Sequence, residues 1–361
     1  MNSPLQAATE PGTARKRDGT ADLLKGLAVL FMIQVHIMEQ FGNTELFQSL
    51  AGKISLFLGG PFCAPVFLVV MGYYLLPLKK SGWTYLKRGI ILFLGGLVLN
   101  VLRSLHLLQH IEDQTIQVNP VAFIFGVDIL PLAGLSLILL TPVMLLFRTE
   151  WKIYLILAIL ISVTTWFTLS NEEKSPVISY LMSFITGRTS WAYFPLIPWI
   201  SYILAGMAAR SVTIRYPGLK DIFTDVRILW LILPGLFILL ITLPEASAIT
   251  HDLDGPTGYY HHQLPFFAWT ILFILVYFFV IRHLEQSWGN SHIFRLIHFT
   301  GEQVTLIYII QWLIIGNMAT ALYKSQGWWG FLGWTLVISF LSVGLARIFI
   351  WIRSWFGKPG T

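Results

Sequence analysis

Ten runs of about 20 mostly apolar residues follow one another along the chain, at about 21–41, 54–77, 87–105, 121–147, 152–170, 192–209, 226–244, 264–283, 302–323 and 329–352. Runs of that length match the hydrocarbon thickness of a bilayer at helical rise. Within the hydrocarbon, every backbone N–H and C=O must find a partner inside the protein, and a helix supplies all of them locally. The sequence therefore predicts an all-α fold, a polytopic transmembrane helix bundle of about ten spans. Composition agrees: of 361 residues 55% are hydrophobic and only 12% charged, about half the charge fraction of a soluble domain. The fourth run contains Pro131 and Pro142 and reads either as a short re-entrant piece followed by a helix or as one kinked span. Residues 1–20 form a polar, basic tail, and 21–361 a single transmembrane domain. No small-residue cleavage site follows the first run, which reads as a retained helix.

Charge placement predicts orientation. With the N-terminus in the cytoplasm, 17 Lys and Arg residues fall in inside segments, among them Arg15, Lys16, Arg17, Lys79, Lys80, Lys87 and Arg88. The outside loops hold five: Lys53, Arg103, Lys174, Arg188 and Lys324. By the positive-inside rule both termini are expected in the cytoplasm. The same rule accounts for the net charge of +6 without nucleic acid, which is not expected as a partner. A single cysteine, Cys63, excludes an intrachain disulfide and a cysteine-rich metal site. Two outer loops are substantial, 106–120 and 245–263. The second carries His251, Asp252, Asp254, His261 and His262, whose spacing matches no standard zinc pattern; no metal is expected.

Ionisable groups within the runs carry most of the functional information, because charge at membrane depth is costly. Asp22 and Lys25 stand three apart and can pair on one helix face. His36 lies eleven residues beyond Lys25, about 16 Å along the same face. Glu39 follows three residues later, where a carboxylate can orient the imidazole, the usual general base near neutral pH. The alternative is a histidine bonded to a neighbouring helix. Asp128 lies in "FGVDILPLAG", placed either to bond backbone freed by Pro131 or to join a site. Glu302, after Gly301, reads as a carboxylate in the first turn of a helix, and Arg347 as a residue that snorkels or pairs with another helix.

Several stretches resemble a known family. "RDGTADLLKGLAVLFMIQVH" is similar to the first helix of membrane-bound acyltransferases, with Arg17, Asp22, Lys25-Gly26 and His36 in the matching places. "GGPFCAPVFLVVMGYYL", "YLKRGIILFLGGLVLN" and "FGVDILPLAGLSLIL" look like the next three segments. "YFPLIPWISYILAGMAAR" resembles the Phe-Pro-x-x-Pro-Trp segment of the heparan-α-glucosaminide N-acetyltransferase-like branch. The likeness spans most of residues 17 to 315.

The resemblance implies acetyl or acyl transfer from acetyl-CoA or another acyl-CoA to a sugar or glycoconjugate on the far side of the membrane. A bacterial cytoplasmic membrane and a possible homodimer are the expected setting. It implies His36 as acid/base or acyl acceptor and Lys25 as a contact to the donor's phosphates. Glu39 and Asp128 join the candidate catalytic site from their own placement, and Lys87 and Arg88 are either further phosphate contacts by their charge or ordinary positive-inside residues. The 16 Å stripe from Lys25 to His36 roughly suits a pantetheine arm. Three departures bear on activity. Some heparan-type members have Asn at the His36 position and carry their histidine in the next outer loop, whereas residues 42–53 here hold none. Lys25 stands where the branch often has Arg, losing bidentate phosphate recognition, and Gln311 stands where relatives often have His. A proton-coupled transporter using His36, Glu39 and Asp128, or an inactive protein of the same fold, is the competing expectation.

Overall fold

The computed structural model describes residues 19–167, 176–187, 189, 191–218, 228–253, 255 and 257–356. The basic tail, with Arg15, Lys16 and Arg17, lies outside the described residues, as do Lys174, Arg188, Lys220, Arg227, Asp254 and Lys358. In chain order the helices are α1 Gly19–Phe41, α2 Thr44–Gln48, α3 Leu50–Gly59, α4 Ala64–Leu75, α5 Gly82–Arg103, α6 Leu105–Glu112, α7 Pro120–Ile124, α8 Ile129–Phe147 and α9 Trp151–Thr164. They continue with α10 Pro176–Ser183, α11 Leu196–Arg215, α12 Leu229–Ile241, α13 Leu243–His251, α14 Leu264–Trp288, α15 His292–Glu302, α16 Val304–Leu322 and α17 Trp328–Phe356.

Among the described residues eight helical segments are long and apolar enough to cross a membrane, nine if the bent pair α12–α13 is one span. The expected ten differ in identifiable places. α9 keeps only 14 residues, about 21 Å of helix and short of a hydrocarbon core. α12 and α13 meet at a 57° bend where Pro244 enters the first turn of α13, so the expected loop 245–263 begins as helix. Loop 106–120 likewise opens as helix α6.

The fourth run resolves into the short helix α7, a break at 125–128, and α8. Backbone in the break is satisfied within the protein, as membrane depth requires. Asn100 donates to the Gly126 carbonyl at 2.7 Å, and Val127 exchanges backbone bonds with Trp191 and Phe194, each at 2.8 Å. α3 and α4 are separated by a second break, Gly60 to Cys63, whose Gly60 carbonyl accepts from the Tyr259 hydroxyl at 3.0 Å.

α1 is the central helix. It packs on α15 and is flanked by α3, α4, α14, α16 and α17. The α1–α15 crossing is close because it is made at glycines: a Cβ on Gly26 would meet the Ile297 carbonyl, and one on Gly301 the Asp22 carbonyl. That contact also corrects the reading of Glu302. It ends α15 and does not start a helix, and the glycine before it serves approach to α1. Arg347 stacks on Phe299, 5.0 Å from the ring centroid. A second body of core forms where α11 packs between α4 and α9, around the fully buried Trp199, Tyr202 and Tyr154.

Candidate active site

A small cavity of about 30 Å³ opens beside the C-terminal half of α1, room for roughly one or two waters. α1 contributes Met32, Val35, His36 and Glu39. Residues 32, 35, 36 and 39 share a face by the i, i+3, i+4 rule, so one helix presents both the imidazole and a carboxylate to one space. The α3–α4 break adds Gly59, Gly60 and Cys63, and the α7–α8 break adds Asp128 and Ile129. Tyr308 of α16 and Leu253, Tyr259 and Tyr260 of the loop ahead of α14 complete the wall. Both backbone interruptions thus end at the cavity, which fits irregular backbone at membrane depth where it lines an internal space.

Asp128 is fully committed. It is the N-cap of α8, its Oδ1 accepting from the Ile129 amide at 2.6 Å, and its Oδ2 accepts from Arg103 Nη1 at 2.5 Å. Both side chains are largely buried, 11% and 9% exposed. The Arg103 guanidinium also lies over the Trp312 ring, 4.2 Å from its centroid. On that same indole His36 packs at 4.1 Å with a 36° tilt. The chain Asp128–Arg103–Trp312–His36 therefore joins α8, α5, α16 and α1. Among the described residues the buried His36 Nδ1, Tyr308 hydroxyl, Trp312 Nε1 and both amide atoms of Gln311 meet hydrogen-bond geometry with no partner.

The other end of α1 is separate. Lys25 Nζ pairs with Asp22 at 2.7 Å, as their spacing predicts, and is 17% exposed. Nearby Glu285 of α14 accepts from the Thr20 hydroxyl and lies 3.8 Å from His298 Nε2. Lys87 and Arg88 are exposed near the start of α5, a helix that packs chiefly on α8. No described contact joins them to Lys25. Of the loop residues once weighed as metal ligands, Asp252 caps a turn by accepting from Gly255 at 2.8 Å. His262 is fully buried between the Tyr202 hydroxyl at 2.9 Å and the Tyr259 carbonyl at 2.7 Å. Among the described residues no three His, Cys, Asp or Glu side chains gather as a metal site.

Sequence reasoning placed His36, Glu39 and Asp128, and the structure brings all three to one cavity. It missed Arg103, counted as a loop cation, and Tyr308 and Trp312, indistinguishable from other aromatics in an apolar run. A usable signal did exist for Arg103: a cation lies at the end of one apolar run and an acid lies inside the next.

A bundle of membrane-length helices holding a histidine and two carboxylates around an internal cavity is an integral membrane protein with a titratable site at depth. The family model for heparan-alpha-glucosaminide N-acetyltransferase, catalytic, matches residues 17–244, well over half of the chain, and the protein belongs to that family of membrane acetyltransferases. No curated protein matches the chain. The matched stretch includes α1 and Asp128, whereas Tyr308, Gln311 and Trp312 lie beyond it.

Proposed function

We propose that the protein moves an acetyl group from acetyl-CoA, or a related acyl-CoA, to a sugar or glycoconjugate across the membrane, with His36 as general base. The observation that carries this reading is the placement of His36 and Glu39 on the wall of one cavity, with Asp128 opposite. Lys25 stands about 16 Å away on the same helix face. The acceptor hydroxyl or amine attacks the thioester carbonyl while the imidazole takes its proton. The tetrahedral intermediate then expels the coenzyme A thiolate, which leaves with that proton. Glu39 and the Asp128–Arg103 pair supply the field in which the imidazolium forms. Lys25 meets a donor phosphate, with Lys87 and Arg88 as a more distant basic surface. An acyl-His36 intermediate is the variant of this scheme in which the imidazole attacks first.

At about 30 Å³ the cavity is far smaller than a sugar, so the acceptor enters by displacing its wall. The segment bearing Tyr259 and Tyr260 is one part of the wall that is not a membrane-length helix. The bacterial cytoplasmic membrane is the proposed location, with the donor on the cytoplasmic side. The test uses purified full-length protein in lipid nanodiscs with radiolabelled acetyl-CoA and a panel of free and lipid-linked glucosaminides. Label on an acceptor supports the reading. No label on any acceptor, together with acceptor-dependent proton flux in liposomes, would replace it with the transporter.

A further inference from the structure

Gln311 has no part in the scheme above, yet it is the most enclosed polar side chain near His36. It is fully buried in α16, and neither its Oε1 nor its Nε2 meets hydrogen-bond geometry with any described group. A buried amide without bonds is destabilising by about 1–3 kcal/mol, so its retention calls for a partner. One is present. The neighbouring Trp312 brings His36 to this stretch of α16, its ring 4.1 Å from the imidazole, and the His36 Nδ1 is likewise buried and unbonded. A bond between Gln311 and His36 would satisfy two orphaned groups at once. The indole of the next residue, Trp312, already fixes the plane of the imidazole at 4.1 Å.

We propose that Gln311 is a positioning residue for His36, its Oε1 accepting the Nδ1–H and so holding the tautomer whose Nε2 lone pair faces the cavity. The inference rests on the reading of His36 as the base. An imidazole orienter is commonly a carboxylate, which favours the imidazolium strongly; a neutral amide fixes the ring and tautomer without adding a charge. The charge around the ring comes instead from its other neighbours. Asp128 on α8 and Arg103 on α5 act on it, Glu39 lies one turn along α1, and the Tyr308 hydroxyl of α16 lines the same cavity. Gln311, where the resemblance implies a His, then serves the site and is no sign of lost chemistry.

The test compares Gln311→Leu and Gln311→Glu with the parent, full-length in nanodiscs, using acetyl-CoA and an α-glucosaminide acceptor. Gln311→Leu removes the acceptor atom at similar volume. It should lower kcat about 10- to 100-fold, with little change in KM for acetyl-CoA or in thermal stability. Gln311→Glu restores an acceptor and adds a charge. It should recover much of kcat and move the acid limb of the kcat–pH profile upward by about a unit. Both variants losing kcat with an unmoved pH profile, or Gln311→Leu turning over at the parent rate, would overturn the proposal. A readout without turnover separates it from the proposed function. In ¹⁵N-histidine protein, with His36 assigned by difference from His36→Asn, the parent should show a protonated Nδ1 and Gln311→Leu should lose it. That result in a protein inactive on every acceptor would keep the positioning role and sink the acetyltransferase reading. An unchanged His36 tautomer in Gln311→Leu would remove the positioning role.

Discussion

At the scale of single residues, the site is held by one buried ion pair and one stacked indole. Asp128 spends both oxygens on structure, the α8 amide and Arg103. Removing its charge leaves Arg103 buried and uncompensated, which costs about 3–5 kcal/mol. Asp128→Asn, which keeps the capping oxygen, should therefore lower the unfolding temperature in detergent markedly. Arg103→Met in the same chain should recover part of the loss. A single mutant as stable as the parent would show that the pair is not desolvated. Lys25 is different, because its ion pair is partly exposed and local. If it also meets a donor phosphate, Lys25→Ala should weaken acetyl-CoA binding about tenfold by calorimetry, more at low salt, where the contact is least screened. Equal affinities would assign Lys25 to the Asp22 pair alone.

At the scale of elements, the informative places are the interruptions. A lysine, a histidine and a glutamate on one face of α1 are visible from spacing, because helical period is a local property. The break before α8 was half visible: Pro131 marked it, but only Asn100 and the 191–194 segment make it affordable, and those bonds link residues tens of positions apart. The stacking of His36 on Trp312 joins residues 276 positions apart, and nothing periodic in one sequence encodes it. The loop expected at 245–263 reads as polar in sequence, but Tyr260 and His262 in it fold inward onto Trp199 and Tyr202. Burial lowers His262 to a pKa of about 4, its bond to the Tyr259 carbonyl opposing and neighbouring His261 assisting. An unfolded histidine takes its proton near 6.5. Between these values the unfolded chain binds more protons, so stability rises with pH there. The contribution is complete above about 6.5 and is lost as pH falls toward 4. Thermal unfolding should show that fall, and His262→Asn should flatten it; an equal slope in the variant would place the titration elsewhere.

At the scale of the whole molecule, the account requires α1 to run from the donor's side to the acceptor's. The apolar runs were legible because bilayer thickness sets their length. Their exact number was not, since α9 and the α12–α13 pair depart from straight, full-length helices. The excess of Lys and Arg in the segments on one side predicts cytoplasmic termini. In a Cys63→Ser background, a cysteine at Ser81 should react with impermeant reagent from the cytoplasm, and one at Gly255 from outside. Labelling of both from one side would break the alternation and the direction of transfer with it. The central claim is chemical: His36 sits at depth because the proton moves there. Single-turnover transfer from acetyl-CoA by His36→Ala tests it most directly. The account predicts that unfolding temperature and acetyl-CoA affinity stay near those of the parent while transfer falls by about 10² or more. Transfer at the parent rate would make His36 a structural histidine and contradict the account.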